Sequence, residues 1–205
     1  MVTQLLNGSE TRTNQEQLLS LHGLTWQQFK GIQQSLSDLS QNIRLSYLRG
    51  TLEIMTLNEL HEAVVSVFKV LLAFYCVETG IELYDTGSTT REKLDTEVSL
   101  QPDTSYFISG TEGKEYPDLA IEVIFTSGSI KKLEQYKQIG VKEVWFWKDE
   151  ELSLYWLQDH DYEQITQSHF FPGLDIDLLL RCTLIHLYEK SITKAINEFR
   201  KGISI

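Results

Sequence analysis

Apolar and polar residues recur along this chain with two periods, and the switches between them mark the elements. Thr25 stands as an N-cap before a run with helical spacing, which predicts a short helix over Trp26 to Leu36. Arg44 to Leu48 and Thr51 to Thr56 alternate as strands do and meet at Arg49-Gly50, a hairpin signal. The strongest periodicity follows, from about Glu59 to Glu78. There Leu60, Val64, Val67, Phe68, Leu71, Phe74 and Tyr75 repeat at three and four, and Gly80 is placed to end the helix. Asn58, Glu62, Ser66 and Lys69 form its remaining polar stripe.

Strand-like text then predominates: Ile81 to Asp85, Pro102 to Ile108 and Pro117 to Phe125. A helix over Ser129 to Ile139 ends at Gly140. Strands over Glu143 to Trp147 and Leu152 to Leu157 are joined by Lys148-Asp149-Glu150-Glu151, and a last strand covers Tyr162 to Ser168. Beyond Phe171-Pro172-Gly173 the chain reads as helix, interrupted near Thr183. The succession predicts an α/β fold, a mixed β-sheet flanked by α-helices. No repeat or Gly/Ser linker divides the chain, so residues 1–205 are expected to form one domain. Its parts would be a loose arm over 1–20, a core over 40–170 and a helical segment over 173–205.

Composition narrows the function classes. The chain has 205 residues, 41% hydrophobic and 23% charged, enough apolar surface for a packed core. Its 18 basic and 29 acidic residues leave a net charge of −11, which argues against a non-specific binder of nucleic acid or of a membrane surface. The longest apolar run, near Val64 to Val77, is broken by Ser66 and Lys69 and reads as too short for a membrane span. Cys76 and Cys182 lie in apolar stretches without partners at metal-ligand spacing, and the first residues lack a secretory signal. A cytoplasmic protein with two buried thiols is expected.

One strand carries the chemistry. Pro102-Asp103 and Pro117-Asp118 lie fifteen residues apart, and the second leads into Leu119-Ala120-Ile121-Glu122-Val123-Ile124. Alternation places Asp118, Ala120, Glu122 and Ile124 on one face, so Glu122 is an acid in the middle of an apolar strand. A carboxylate there is costly unless it is paired or binds a metal. If the two strands form an antiparallel hairpin in which Ile108 faces Pro117, Asp103 falls opposite Glu122, with Cβ atoms roughly 5 Å apart. Asp118, roughly 13 Å along the strand from Glu122, reads as a strand-start aspartate. Two carboxylates that close repel unless a cation or a shared proton intervenes. Hard oxygen ligands on adjacent strands suit Mg²⁺ or Mn²⁺, with water and phosphate completing the shell.

These residues resemble the PD-(D/E)XK restriction-endonuclease-like superfamily, and within it a large bacterial family much expanded in cyanobacteria. The resemblance runs from Tyr47-Leu48-Arg49-Gly50-Thr51-Leu52-Glu53 through Leu60-His61-Glu62 to Pro102-Asp103. It continues over Pro117 to Val123, Lys132-Leu133 with Tyr136, and Gly140 to Trp145. It implies a restriction-endonuclease-like core and a Mg²⁺- or Mn²⁺-dependent endonuclease that hydrolyses phosphodiester bonds in DNA. Asp103 and Glu122 would be the metal carboxylates, Glu62 a helix-borne acid at the metal, and a homodimer is plausible. The superfamily's lysine would fall at Ile124; here Lys132 on the following helix matches, with Lys131 as its adjacent competitor.

Plainer readings stand beside this one. Glu62 alone reads as part of a solvated helix face, Lys132 as a surface lysine, Asp103 as a turn aspartate and His61 as a cap or partly buried histidine. Glu122 has the weakest plain reading. Trp145, Phe146, Trp147, Tyr155 and Trp156 read as core or a dimer surface rather than a base-stacking platform. Two rival functions remain: an inactive nuclease-fold protein that binds nucleic acid or a protein, and an acid-pair glycosidase with carboxyl groups about 5 to 5.5 Å apart.

Overall fold

The computed structural model describes residues 17–36, 43–125 and 129–203; the side chains of residues 129–131 lie outside the description. Eleven strands and five helices are formed by these residues. The first part of the chain builds β1 (Leu18–His22), α1 (Trp26–Leu36), β2 (Ile43–Leu48) and β3 (Thr51–Thr56). Thr25 starts α1 as its sequence predicts. Its hydroxyl accepts from the Gln28 N–H at 3.2 Å while Gln28 Oε1 accepts from the Thr25 N–H at 2.8 Å, a reciprocal cap. The β2–β3 hairpin pairs Leu48 with Thr51 across Arg49-Gly50. Of the arm expected over 1–20, residues 1–16 lie outside the described residues, and Leu18–His22 is a strand paired along β3.

The next elements are α2 (Glu59–Thr79), β4 (Leu83–Asp85), β5 (Arg91–Lys93), β6 (Val98–Leu100), β7 (Thr104–Ile108) and β8 (Leu119–Ile124). They are followed by α3 (Ser129–Ile139), β9 (Glu143–Lys148), β10 (Glu151–Gln158), β11 (Asp161–Ile165), α4 (Ile176–Glu189) and α5 (Ile192–Gly202). Instead of the single sheet expected, the strands divide into two, ordered β1-β3-β2-β6-β5 and β11-β10-β9-β8-β7-β4. The additional strands β5 and β6 are three residues each, and Arg91-Glu92-Lys93 carries no apolar alternation that could reveal it. In the second sheet β8 and β9 are parallel and the other pairs antiparallel, with α3 as the crossover between the parallel strands.

Both faces of β8 are covered, which is why all six of its residues are buried. On one face Leu119, Ile121 and Val123 pack with Val64, Phe68 and Leu71 of α2 and with α4 and α5. On the other, Ala120 and Ile124 meet Tyr136 and Ile139 of α3 together with Val98 and Leu100 of β6, so α3 is held between the two sheets. A third cluster seats α1 on the first sheet, where the Phe29 and Tyr47 rings stack at 4.7 Å.

Two sequence expectations need correction. Glu59–Thr79 is in fact long and apolar enough to cross a membrane; however, Val64, Val67, Phe68, Leu71 and Leu72 are fully buried against the sheet, so this apolarity fills a core. The C-terminal helix is not interrupted near Thr183. That hydroxyl donates to the Leu179 carbonyl at 2.9 Å and is satisfied inside α4. The break falls at Lys190, which takes a left-handed conformation, and at Ser191, which caps α5. Cys76 and Cys182 are free and buried, as expected.

Candidate functional site

The hairpin register places the two acids as reasoned. Thr104 pairs with Ile121, Ser105 with Ala120 and Tyr106 with Leu119, and the same register carried one step further sets Asp103 opposite Glu122. Asp103 immediately precedes β7 and is 5% exposed, while Glu122 is 1% exposed. Asp118 keeps the structural part assigned to it: its Oδ2 accepts from the Ile108 N–H at 2.7 Å and from Lys114 Nζ at 2.6 Å.

Each carboxylate is met by a different helix. Asp103 Oδ2 accepts from the Val123 N–H at 2.7 Å, and Oδ1 lies 3.0 Å from His61 Nε2. His61 is there because Asn58 caps α2: its side chain accepts from the His61 N–H at 2.8 Å, which sets the first turn and turns the imidazole inward. Glu122 is met by α3. Lys132 Nζ donates to Oε2 at 2.6 Å, and the Tyr136 hydroxyl donates to Oε1. Helical spacing explains the pair, since residues four apart share one face.

The electrostatics follow from burial and charge. Desolvation pushes the Asp103 carboxyl up, but His61, Lys132 and the Val123 amide outweigh it and hold the group below its ordinary value. For Glu122 desolvation wins: the carboxyl is raised in spite of Lys132 and Tyr136, and the neighbouring Asp103 adds to the rise. Burial would lower the Lys132 ammonium, yet Glu122, Asp103 and Glu53 keep it above its ordinary value. A crevice of about 20 Å³, room for a single water, reaches Lys132 between Ser46, Glu53, Met55 and Gln101.

Asp103, Glu122 and Lys132 are therefore brought together, and Glu62 is not. Glu62 is exposed on α2, and among the described residues no three His, Cys, Asp or Glu side chains converge as a metal cage requires. The helical phase gives the reason: on α2 position 61 faces inward and position 62 faces water. The neighbouring His61, part of Leu60-His61-Glu62 and read from the sequence as a cap or partly buried histidine, is instead the α2 side chain that meets Asp103. The Lys131 side chain, the competitor of Lys132, lies outside the described residues.

Two carboxylates with hard oxygens still fit a divalent cation of the Mg²⁺ class, which keeps several waters and uses one or two protein carboxylates. The Asp103 and Glu122 carboxylates, opposite one another across the hairpin, are that donor set.

Comparison with known proteins agrees with this architecture. No curated protein matches the chain. A crystal structure described as a "putative nuclease" from Anabaena variabilis is similar in fold, with a TM-score of 0.53 at 16% identity, covering 86% of this chain and 99% of that one. The profile of the family Uma2, described as "Putative restriction endonuclease", matches residues 26–184, from the start of α1 into α4. That match spans the acid hairpin, the lysine helix, the whole second sheet and all of the first but β1, and the chain belongs to the Uma2 family.

Proposed function

We propose that this protein is a Mg²⁺- or Mn²⁺-dependent endonuclease that hydrolyses phosphodiester bonds in DNA. The observation that carries the reading is the buried Asp103/Glu122 pair across the β7–β8 hairpin, with Lys132 on one of its oxygens. Asp103 and Glu122 hold the cation, and Glu62 is left out of its shell. A bound divalent ion supplies Lewis acidity toward a phosphoryl oxygen and lowers the pKa of a coordinated water. The chain's own groups do the rest. Val123 N–H and His61 fix the Asp103 carboxylate, and Tyr136 fixes Glu122. Lys132, beside a crevice with room for one water, orients that water and offsets charge at the phosphate.

Purified protein with Mn²⁺ or Mg²⁺ should cut plasmid DNA, and Asp103→Asn and Glu122→Gln should each abolish cutting and the metal-induced rise in Tm. Variants that cut as well as wild type would refute the assignment. One observation favours a second reading, a non-catalytic nuclease-fold binder: the Lys132 ammonium already neutralises Glu122 at 2.6 Å. That reading requires neither a Tm response to metal nor turnover.

A further inference from the structure

The first sheet turns one face to the acid site. On β3, Leu52 and Ile54 pack with Leu45 and Tyr47 of β2 and with Phe29 of α1. Alternation therefore sends Glu53 to the opposite face, between its cross-strand neighbours Ser20 and Ser46, and there it lines the crevice that reaches Lys132. The Glu53 carboxylate is half-buried and makes no hydrogen bond or ion pair among the described residues. A carboxylate without a partner on the inner face of a sheet is costly, so this acid needs a reason.

The lysine supplies one. Lys132 Nζ lies 2.6 Å from Glu122 Oε2, so the ammonium sits on an oxygen that a cation needs. Two positive charges on one carboxylate oxygen repel strongly, and the lysine must leave before a divalent ion can enter. Stranded without a counter-charge in a buried site, it would oppose that entry. Three carboxylates bear on the ammonium: Glu122, Asp103 and Glu53. The first two are the cation's ligands, so Glu53 alone remains to receive it. The crevice, about 20 Å³, gives Nζ somewhere to go, and a flexible four-carbon stem carries it there without moving the helix. Of the other polar side chains on the lining, Arg44 is a cation, Ser46 is neutral and Gln101 Oε1 already accepts from the Leu45 N–H at 3.2 Å, so none offers a counter-charge.

We propose that Glu53 is a positioning residue of this site: it receives the Lys132 ammonium when a divalent cation takes the Asp103 and Glu122 carboxylates. The lysine then stands at the crevice, beside the water it orients. It guards Glu122 in the absence of the cation and serves the reaction in its presence. The inference rests on the cation-binding part of the nuclease reading.

The test uses the full-length protein with ¹⁵N-labelled lysine, in which the Lys132 ammonium signal is the one lost in Lys132→Met. Glu53→Gln keeps the size of the side chain and so keeps the fold. Without metal that substitution should leave the Lys132 signal in place, because the ammonium rests on Glu122; in saturating Mg²⁺ the same substitution should shift it. By calorimetry at physiological salt, Glu53→Gln should weaken Mg²⁺ binding about tenfold, the loss of one partly buried counter-charge, while Lys132→Met should strengthen it. In the Lys132→Met background, Glu53→Gln should change Mg²⁺ affinity by less than about twofold, the remnant of a screened field. Lys132→Gln replaces Lys132→Met if the latter does not fold. A Lys132 signal in Mg²⁺ that ignores Glu53, an affinity loss below about twofold, or a tenfold loss that persists without the lysine and so makes Glu53 a ligand would each overturn the proposal. Absence of Mg²⁺ binding sinks it together with the nuclease reading. Mg²⁺ binding with the Glu53–Lys132 coupling but no DNA cleavage sinks the nuclease reading alone, and cleavage without the coupling sinks the Glu53 assignment alone.

Discussion

Lys132 and Glu122 form a pair whose energetics can be separated by substitution. The ammonium and carboxylate are 2.6 Å apart, with side chains 16% and 1% exposed. Removing Lys132 alone, as Lys132→Met, strands a carboxylate in an apolar strand with only the Tyr136 hydroxyl bond left, and breaking a buried pair costs about 3–5 kcal/mol. Glu122→Gln leaves the ammonium without its counter-charge. That side chain reaches the crevice and keeps an amide oxygen to donate to, so its loss is smaller, about 2–3 kcal/mol. With both changes neither charge remains to be desolvated, and replacement of a buried pair by neutral groups is close to neutral, about 0–1 kcal/mol. The double variant should therefore be more stable than Lys132→Met, with a coupling energy above about 2 kcal/mol. Urea unfolding of the four metal-free proteins, followed by circular dichroism and tryptophan fluorescence, measures it. Additivity to within about 0.5 kcal/mol would show that the two groups are not a buried pair, and the electrostatic account of the site would fall with it.

Other consequences can be checked with the same material. Tyr136→Phe removes the donor to Glu122 Oε1 and should cost about 1.5–3 kcal/mol in urea unfolding, the range for a hydrogen bond to a charged group. Gly80→Ala places a Cβ on a residue at φ 71° with nothing within 4 Å of it, so the loss should be backbone strain alone, about 1–2 kcal/mol in Tm-derived stability. Burial pushes the Glu92 carboxyl up, but Lys30, Gln33 and Ser99 outweigh it and hold it below its ordinary value. A depressed carboxyl stabilises the fold above its unfolded pKa, about 4.3, and loses that contribution as pH falls through the folded value. The stability gap between wild type and Glu92→Gln should accordingly be present near neutrality and close in acid; a gap that widens in acid would refute the assignment.

Periodicity and turn chemistry are local properties of the chain, and the elements they govern are the ones legible in the sequence. Trp26–Leu36 and Ser129–Ile139 fall where the spacing puts them, and Gly80 ends α2. The antiparallel register of β7 and β8 is the one obtained by setting Ile108 opposite Pro117, and with it comes the juxtaposition of Asp103 and Glu122. Short strands without a pattern, β5 and β6, were not legible, because three residues on a sheet are placed by their partners rather than by their own side chains.

Only the tertiary structure decided which groups surround the acids. On α2 a difference of one residue, about 100° of helical rotation, sends His61 inward to Asp103 and Glu62 outward to water. The sandwiching of α3 between two sheets turns Lys132 and Tyr136 onto Glu122, and it is burial on both faces of β8 that raises that carboxyl. The buried Trp147 indole N–H likewise has no acceptor among the described residues only because neighbouring elements close over an aromatic strand without offering one. Burial and pairing are sums over elements distant in sequence, so the sequence by itself determined which acids face one another, and the packing decided what charges, donors and space they meet.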